Sequence, residues 1–115
     1  MKRGEVYWAN LAPRSGSEQQ GRRPVIVVSH DAFNEVQSWR SVIVVPVSTS
    51  SAQLRRGPTA VPLSAGTAGL QRDSVALCHQ VTTLDRAKLA TWIGTLPEDV
   101  VTSIGHGLKH AQDLP

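Results

Sequence analysis

The sequence predicts a mainly β domain, a strongly bent sheet or small barrel of about five to seven short strands with a C-terminal helix. Three observations carry this. Two apolar runs rich in β-branched residues, VIVV at 25–28 and VIVVPV at 42–47, are bounded by turn residues and have the length of buried strands. Other short apolar segments recur between polar connections along most of the chain. Only the tail after Pro97 changes to helical spacing.

In order, residues 4–9 (GEVYWA) read as the first strand, with Val6, Tyr7 and Trp8 as β-formers. Residues 10–24 then form a polar loop, long enough to suggest a functional one. Pro24, lacking an N–H, suits the first position of a strand running over 25–29. Asp31 is placed to cap a helical turn over Ala32 to Val36. The third strand is 41–47, with Pro46 marking a bulge or edge. Residues 48–58 read as a polar loop, 59–63 and 74–81 as strands, Thr83 to Leu89 as one helical turn, and 91–95 as a last strand. From Pro97 on, Glu98 and Asp99 favour a helix start, and Val100, Ile104, Leu108 and Ala111 recur on one face. Gly105 and Gly107 weaken this helix by roughly 1 kcal/mol each relative to alanine, so it needs packing on the sheet or on a second subunit.

The length, 115 residues, fits one domain over 1–115 with a single core. No apolar run is long enough to span a bilayer and nothing resembles a signal peptide, so a cytoplasmic protein with no membrane role is expected. The one cysteine, Cys78, excludes an internal disulfide and a cysteine-based zinc cluster. His30, His106 and His110 have no metal-ligand spacing, so neither metal nor cofactor is expected. The net charge of +3 is unevenly spread: residues 1–72 hold nine Lys and Arg against four Asp and Glu, while residues 73–115 hold three against five. Six of the basic residues are arginines between Arg14 and Arg56. Arginine pairs with phosphate in a fork geometry, so this half points to a polyanion; a solvated surface is the plainer reading.

The segment Gly16 to Ser29, GSEQQGRRPVIVVS, carries the most chemistry. Its acid (Glu18), amides (Gln19, Gln20) and arginines (Arg22, Arg23) lead directly into a rigid strand. A guanidinium held at a strand mouth, five residues from a carboxylate, can bind phosphate beside a proton-transfer group.

The segments RGEVYW (3–8), LAP (11–13), GSEQQGRRPVIVVS (16–29), AFN (32–34), VIVVPVS (42–48), RDSVALCHQV (72–81) and TLDRAKL (83–89) together resemble the MazF/PemK-type toxins of bacterial toxin–antitoxin systems. The resemblance covers most of the chain. It implies an SH3-like (MazF/CcdB-type) barrel. It also implies a homodimer, an antitoxin partner with an acidic flexible tail, and a ribosome-independent endoribonuclease that cuts single-stranded RNA at short sequences without a metal. In the family motif the arginine before the proline and a hydroxyl at the end of the VPxT-like strand form the main catalytic pair. The matching residues are Arg23 and Ser48, and the acid of the loop is Glu18. The hydroxyl is most often threonine in the family, and Thr49 follows Ser48, so either could carry the role. At His79, before Gln80, many members have an acid; His79 could take part in catalysis, read a base, or do neither.

Such an enzyme must help remove the 2′ proton, stabilise charge on the phosphorane and protonate the 5′ leaving oxygen. Arg23 suits charge stabilisation, and Glu18 suits the base or the orientation of Arg23. Gln19 and Gln80 have amides able to read base edges, whereas Gln20 reads as loop filler. Arg22, Thr49, Arg55 and Arg56 are further RNA contacts, the arginine pair being equally consistent with a solvated loop. Trp8, Trp39 and Trp92 are expected in the core or a dimer contact, with Trp39 the best exception. Two other classes stay open: a non-enzymatic nucleic-acid-binding barrel, and a toxin of this fold that poisons a protein target such as a gyrase.

Overall fold

The computed structural model describes residues 1–11, 16 and 21–115. Glu18 and Gln19, like Gln20, therefore lie outside the described residues. In chain order the elements are β1 (Glu5–Asn10), β2 (Arg22–Val27), α1 (Asp31–Asn34), β3 (Ser41–Ser48), β4 (Ala60–Leu63), β5 (Ser74–Leu77), β6 (Thr82–Asp85), β7 (Leu89–Thr95) and α2 (Glu98–Gln112). The sheet is antiparallel and runs β4-β5-β3-β2-β1-β7, with β6 also paired to β3. It is bent, and it does not close on itself.

Strand β3 organises the bend. Ser41–Val44 pair with β6, whereas Val47 and Ser48 pair with β5. The partner changes across Val45 and Pro46, so the missing N–H of Pro46 falls where that ladder is interrupted, as the sequence suggested. Both faces are covered along Val25–Val27 of β2 and from Val44 to Ser48 of β3, whereas Ile43 near the start of β3 is exposed. Val25, Val27, Val42 and Val44 join one cluster with Ala9, Leu11, Leu84 and Leu89. Ile26, Val45 and Val47 join another with Val6, Leu63, Leu96 and Ile104 under α2. Burial on both faces explains why these segments read as continuous apolar runs, while Ser41–Val44 alternate in burial.

Helix α2 packs through Val100, Val101, Ile104 and Leu108. Full burial of Ile104 contributes about 1.5–3 kcal/mol. Gly107, expected only to weaken the helix, is its point of closest approach. A Cβ there would sit 2.7 Å from Cys78 Sγ and 3.3 Å from the Pro58 carbonyl oxygen. Burial pushes the Cys78 thiol up to about 11, so it is an inert packing group. No helix among the described residues is long and apolar enough to cross a membrane.

Several local expectations are corrected. Strand β2 begins at Arg22, so both arginines belong to the strand and Pro24 is its third residue. Pro24 is tolerated because the β3 ladder starts only at Val25. The α1 cap is His30, whose Nδ1 accepts the Ala32 N–H at 2.9 Å. Asp31 instead accepts the Arg3 N–H at 2.6 Å and Asn34 Nδ2 at 3.0 Å, which holds its carboxyl below the usual range. Residues Ser51–Thr59 form 3₁₀ turns kinked at Gly57 (φ 73°). Strand β5 stops at Leu77 and gives way to a 3₁₀ turn over Cys78–Gln80. Of Thr83 to Leu89, expected to be one helical turn, Thr83–Asp85 belong to β6 and Leu89 opens β7, and only Arg86–Lys88 turn. None of the tryptophans is a core residue: Trp39 and Trp92 are 50% and 55% exposed, and Trp8 is half-buried.

Candidate active site

The N-terminal end of β2, the C-terminal end of β3, the β4–β5 connection and strand β7 enclose a cleft of about 440 Å³. Each wall has a local cause. Arg22 and Arg23 precede Pro24 on a strand whose next three residues are fully buried, so their backbone is anchored while their side chains reach the opening. Arg22 lies with its guanidinium carbon 4.5 Å from the centroid of Trp8, a cation–π contact across the β1–β2 pair. Arg23, paired with Ala9 in that ladder, lines the cleft beside it.

The β7 wall depends on irregular pairing. Val6 pairs with Gly94 and Tyr7 with Trp92, leaving Ile93 as an extra residue; a second shift follows between Trp8 and Ala9. A regular pleat sends consecutive side chains to opposite faces. Here Trp92 and Ile93 both line the cleft, as a bulge allows. The remaining wall is Gly69 to Arg72 and Ser74. This segment is pressed onto β7 by glycines. A Cβ on Gly69 would lie 2.8 Å from the Ile93 carbonyl oxygen, and one on Gly94 would lie 2.5 Å from the Ala68 carbonyl carbon. Ala68 has φ 49°, a left-handed conformation unusual for a residue with a side chain. The Asp73 carboxylate accepts the Ala65 N–H at 2.8 Å, tying down the same connection.

The structure brings Arg22, Arg23 and Thr49 of the expected site residues to this cleft. Ser48 is adjacent but buried, and its Oγ accepts the Ser50 N–H at 3.1 Å. That contact fixes the oxygen and leaves the hydroxyl proton available for donation. Arg55, Arg56, His79 and Gln80 are not brought there. Arg55 and Arg56 are exposed on the 3₁₀ turns before β4. His79 and Gln80 follow the far end of β5, whose near end, Ser74, lines the cleft. At a rise of about 3.3 Å per residue the two ends of such a strand are well separated. The pKa of His79 is lowered by burial and then by the Arg56 charge, so its imidazole is neutral near pH 7. Its Nδ1 is buried and has no partner among the described residues, and its Nε2 lies 3.3 Å from Gln80 Nε2.

Trp8, Gln71, Arg72, Ser74, Trp92 and Ile93 were not singled out as site residues from the sequence. Arg72 and Ser74 stand in the RDSV segment that carried part of the resemblance, which was the available signal. The described lining thus offers three guanidiniums, a threonine and a serine hydroxyl, an amide and two indoles. Among the described residues it contains no carboxylate or imidazole. Such a lining can hold a phosphate and a flat aromatic group together.

A family model described as "PemK-like, MazF-like toxin of type II toxin-antitoxin system" matches residues 2–111. The chain belongs to this family. Among PemK/MazF-like relatives, Endoribonuclease MazF6 of Mycobacterium tuberculosis is 36% identical over 114 residues, covering 99% of this chain and 98% of the relative. Endoribonuclease EndoA of Bacillus subtilis is 36% identical over 109 residues, covering 95% and 91%. Among solved structures, MazF of Deinococcus radiodurans superposes with a TM-score of 0.80 at 28% identity, over 99% of this chain and 97% of that one. A MazE–MazF structure from the same organism gives 0.75 at 28% identity, over 100% and 97%. The mainly β sheet with a C-terminal helix is thus the fold of this PemK/MazF-like chain and of its structural neighbours.

Proposed function

We propose that this chain is the toxin of a toxin–antitoxin pair, a sequence-specific endoribonuclease that cuts single-stranded RNA, independently of the ribosome and of metal, and so stops translation. The observation that carries the reading is the meeting of Arg22, Arg23 and Arg72 in one cleft at the β2–β3 strand ends. It is supported by two relatives named as endoribonucleases at 36% identity over nearly the whole chain. A passive nucleic-acid-binding barrel would need the cations but not a strand-end hydroxyl beside them, and a gyrase poison would need neither in a cleft.

In this reading the RNA 2′-hydroxyl attacks the adjacent phosphorus, the 5′ oxygen leaves, and a 2′,3′-cyclic phosphate remains. Arg23 donates paired N–H groups to the phosphorane oxygens as charge builds there. Arg22 is held over Trp8 and contributes positive potential to the substrate backbone. Ser48, the family-motif hydroxyl, donates to the reacting phosphate, and Thr49 contacts the substrate at the cleft. Glu18 is assigned to proton transfer or to orienting Arg23, on the resemblance alone. Gln19 is assigned to base reading on its amide. Arg55 and Arg56 are assigned to the RNA backbone beyond the cleft; His79 and Gln80 are assigned to more distant base contacts.

The working unit is a cytoplasmic homodimer. Its inhibitor is a cognate antitoxin whose acidic tail competes with RNA for the arginines. The solved MazE–MazF structure of the Deinococcus radiodurans relative supports an antitoxin partner of this kind.

The test is incubation of the purified protein with a long unstructured RNA in EDTA. Cutting at a short recurrent sequence is expected, with cyclic phosphate and 5′-hydroxyl ends and no cutting of DNA. A strict magnesium requirement, or equal cleavage of DNA, would refute the reading. Ser48→Ala is expected to lower kcat at least about tenfold, while Thr49→Ala acts mainly on KM. A loss of kcat in Thr49→Ala with Ser48→Ala unharmed would move the hydroxyl role by one residue.

A further inference from the structure

We propose that Trp92 is a specificity-determining residue, the stacking face for one unpaired nucleobase next to the scissile phosphate. The inference rests on the RNA-cleaving reading above and deepens it.

Trp92 is a large apolar side chain with 55% of its surface exposed, yet it sits on a strand that pairs with β1. Its position is built rather than incidental. The extra residue at Ile93 places Trp92 and Ile93 on the same cleft. The Gly69 and Gly94 contacts then hold the 69–72 segment against β7, which brings Gln71 and Arg72 to that cleft. The other indole in the cleft, Trp8, already has Arg22 over its ring. Among the described residues no cation or ring lies over Trp92, so it is the indole of this cleft left with an open face.

A cation cluster beside an exposed indole matches the way single-stranded nucleic acid is held, with phosphates on the arginines and a base on the ring. At about 440 Å³ the cleft lies within the roughly 300–1,000 Å³ range of small-ligand pockets and has room for a base together with its phosphate. Stacking alone tolerates every base. The exposed side-chain amide of Gln71 in the same cleft supplies a donor and an acceptor for a base edge, and so converts stacking into a preference.

The experiment compares the full-length protein with Trp92→Ala and Trp92→Phe, using RNA oligonucleotides that carry the mapped cut site with each base varied in turn. Trp92→Ala is expected to raise KM about 5- to 100-fold and to flatten the preference at one position next to the cut, with kcat little changed. Trp92→Phe is expected to retain both KM and preference. RNA binding should quench indole fluorescence in the wild type and much less in Trp92→Phe. Unchanged KM and preference in Trp92→Ala would overturn the proposal. So would a fall to monomer, or a loss of antitoxin-tail affinity with RNA binding intact, since either would make Trp92 a protein contact. The two readings fail separately. Trp92-dependent quenching by RNA in a wild-type protein that cuts nothing would sink the nuclease and keep the stacking site. Active cleavage with no such quenching would do the reverse.

Discussion

Arg23→Ala is expected to lower kcat by about 10²–10³-fold while the protein stays folded. Arg23 lies at the mouth of a strand whose following residues Val25, Ile26 and Val27 are buried, and it lines the cleft with Arg22 and Arg72. A preorganised guanidinium stabilises phosphorane charge at no cost of reorganisation during the reaction, so its loss falls on the transition state more than on substrate binding. The backbone of β2 is held by ladders to β1 and β3 that do not depend on this side chain. The measurement is single-turnover cleavage beside circular dichroism and thermal melting. Wild-type turnover in the folded variant would remove Arg23 from the chemistry.

Gly94→Ala is expected to give the largest loss of stability among single-methyl additions. The new Cβ would lie 2.5 Å from the Ala68 carbonyl carbon and 3.0 Å from its Cα, which are backbone atoms that no rotamer change can move. Overpacking of this kind costs about 1–3 kcal/mol. For a chain of 115 residues that corresponds to a fall in Tm of roughly 4–15 °C. Relief requires the 67–70 turn to lift off β7, so the cleft between Gln71, Arg72 and Trp92 should widen at the same time. Thermal melting and RNA affinity of the same variant check both halves. An unchanged Tm would mean that this contact is not a constraint on the fold.

Much of this architecture was legible because burial leaves a local mark. Backbone covered on both faces reads as the apolar runs Val25–Val28 and Val44–Val47, with Ile43 the exposed member of VIVVPV, and Pro46 marks the point where β3 changes partner. The packed face of α2 was visible in Val100, Ile104 and Leu108. Strand β6 was not: in TTLD only Leu84 is buried, and Asp85 caps the following turn, so the segment carries helix-start chemistry inside a strand. The extent of β2 is hidden for a related reason. Pro24 looks like a beginning, and only the absence of a β3 partner opposite it shows why it sits inside.

The site was legible where it is one contiguous motif and hidden where the fold assembles it. Arg22 and Arg23 announced themselves beside the strand, whereas Arg72 and Trp92 arrive from residues tens of positions away. The exposure of Trp92 depends on register shifts that no local pattern encodes. Conversely, Arg56, His79 and Gln80 look like site residues by type, yet β5 carries His79 and Gln80 to the other end from Ser74, and Arg56 lies on the turns before β4, whose first residue pairs with Leu77 at that far end. Gly107 shows the same limit: its helix-weakening composition was visible, but its approach to Cys78 was not.

The central claim is that this arginine-lined cleft promotes attack by the RNA's own 2′-hydroxyl. The most direct test uses two oligonucleotides carrying the mapped cut sequence, identical except for one 2′-deoxy sugar on the 5′ side of the scissile phosphate. In EDTA the all-ribose strand should be cut to a 2′,3′-cyclic phosphate, and the deoxy strand should bind equally well but remain intact. Cleavage of the deoxy strand at a comparable rate would contradict the account, because the nucleophile would then have to come from the protein or from water.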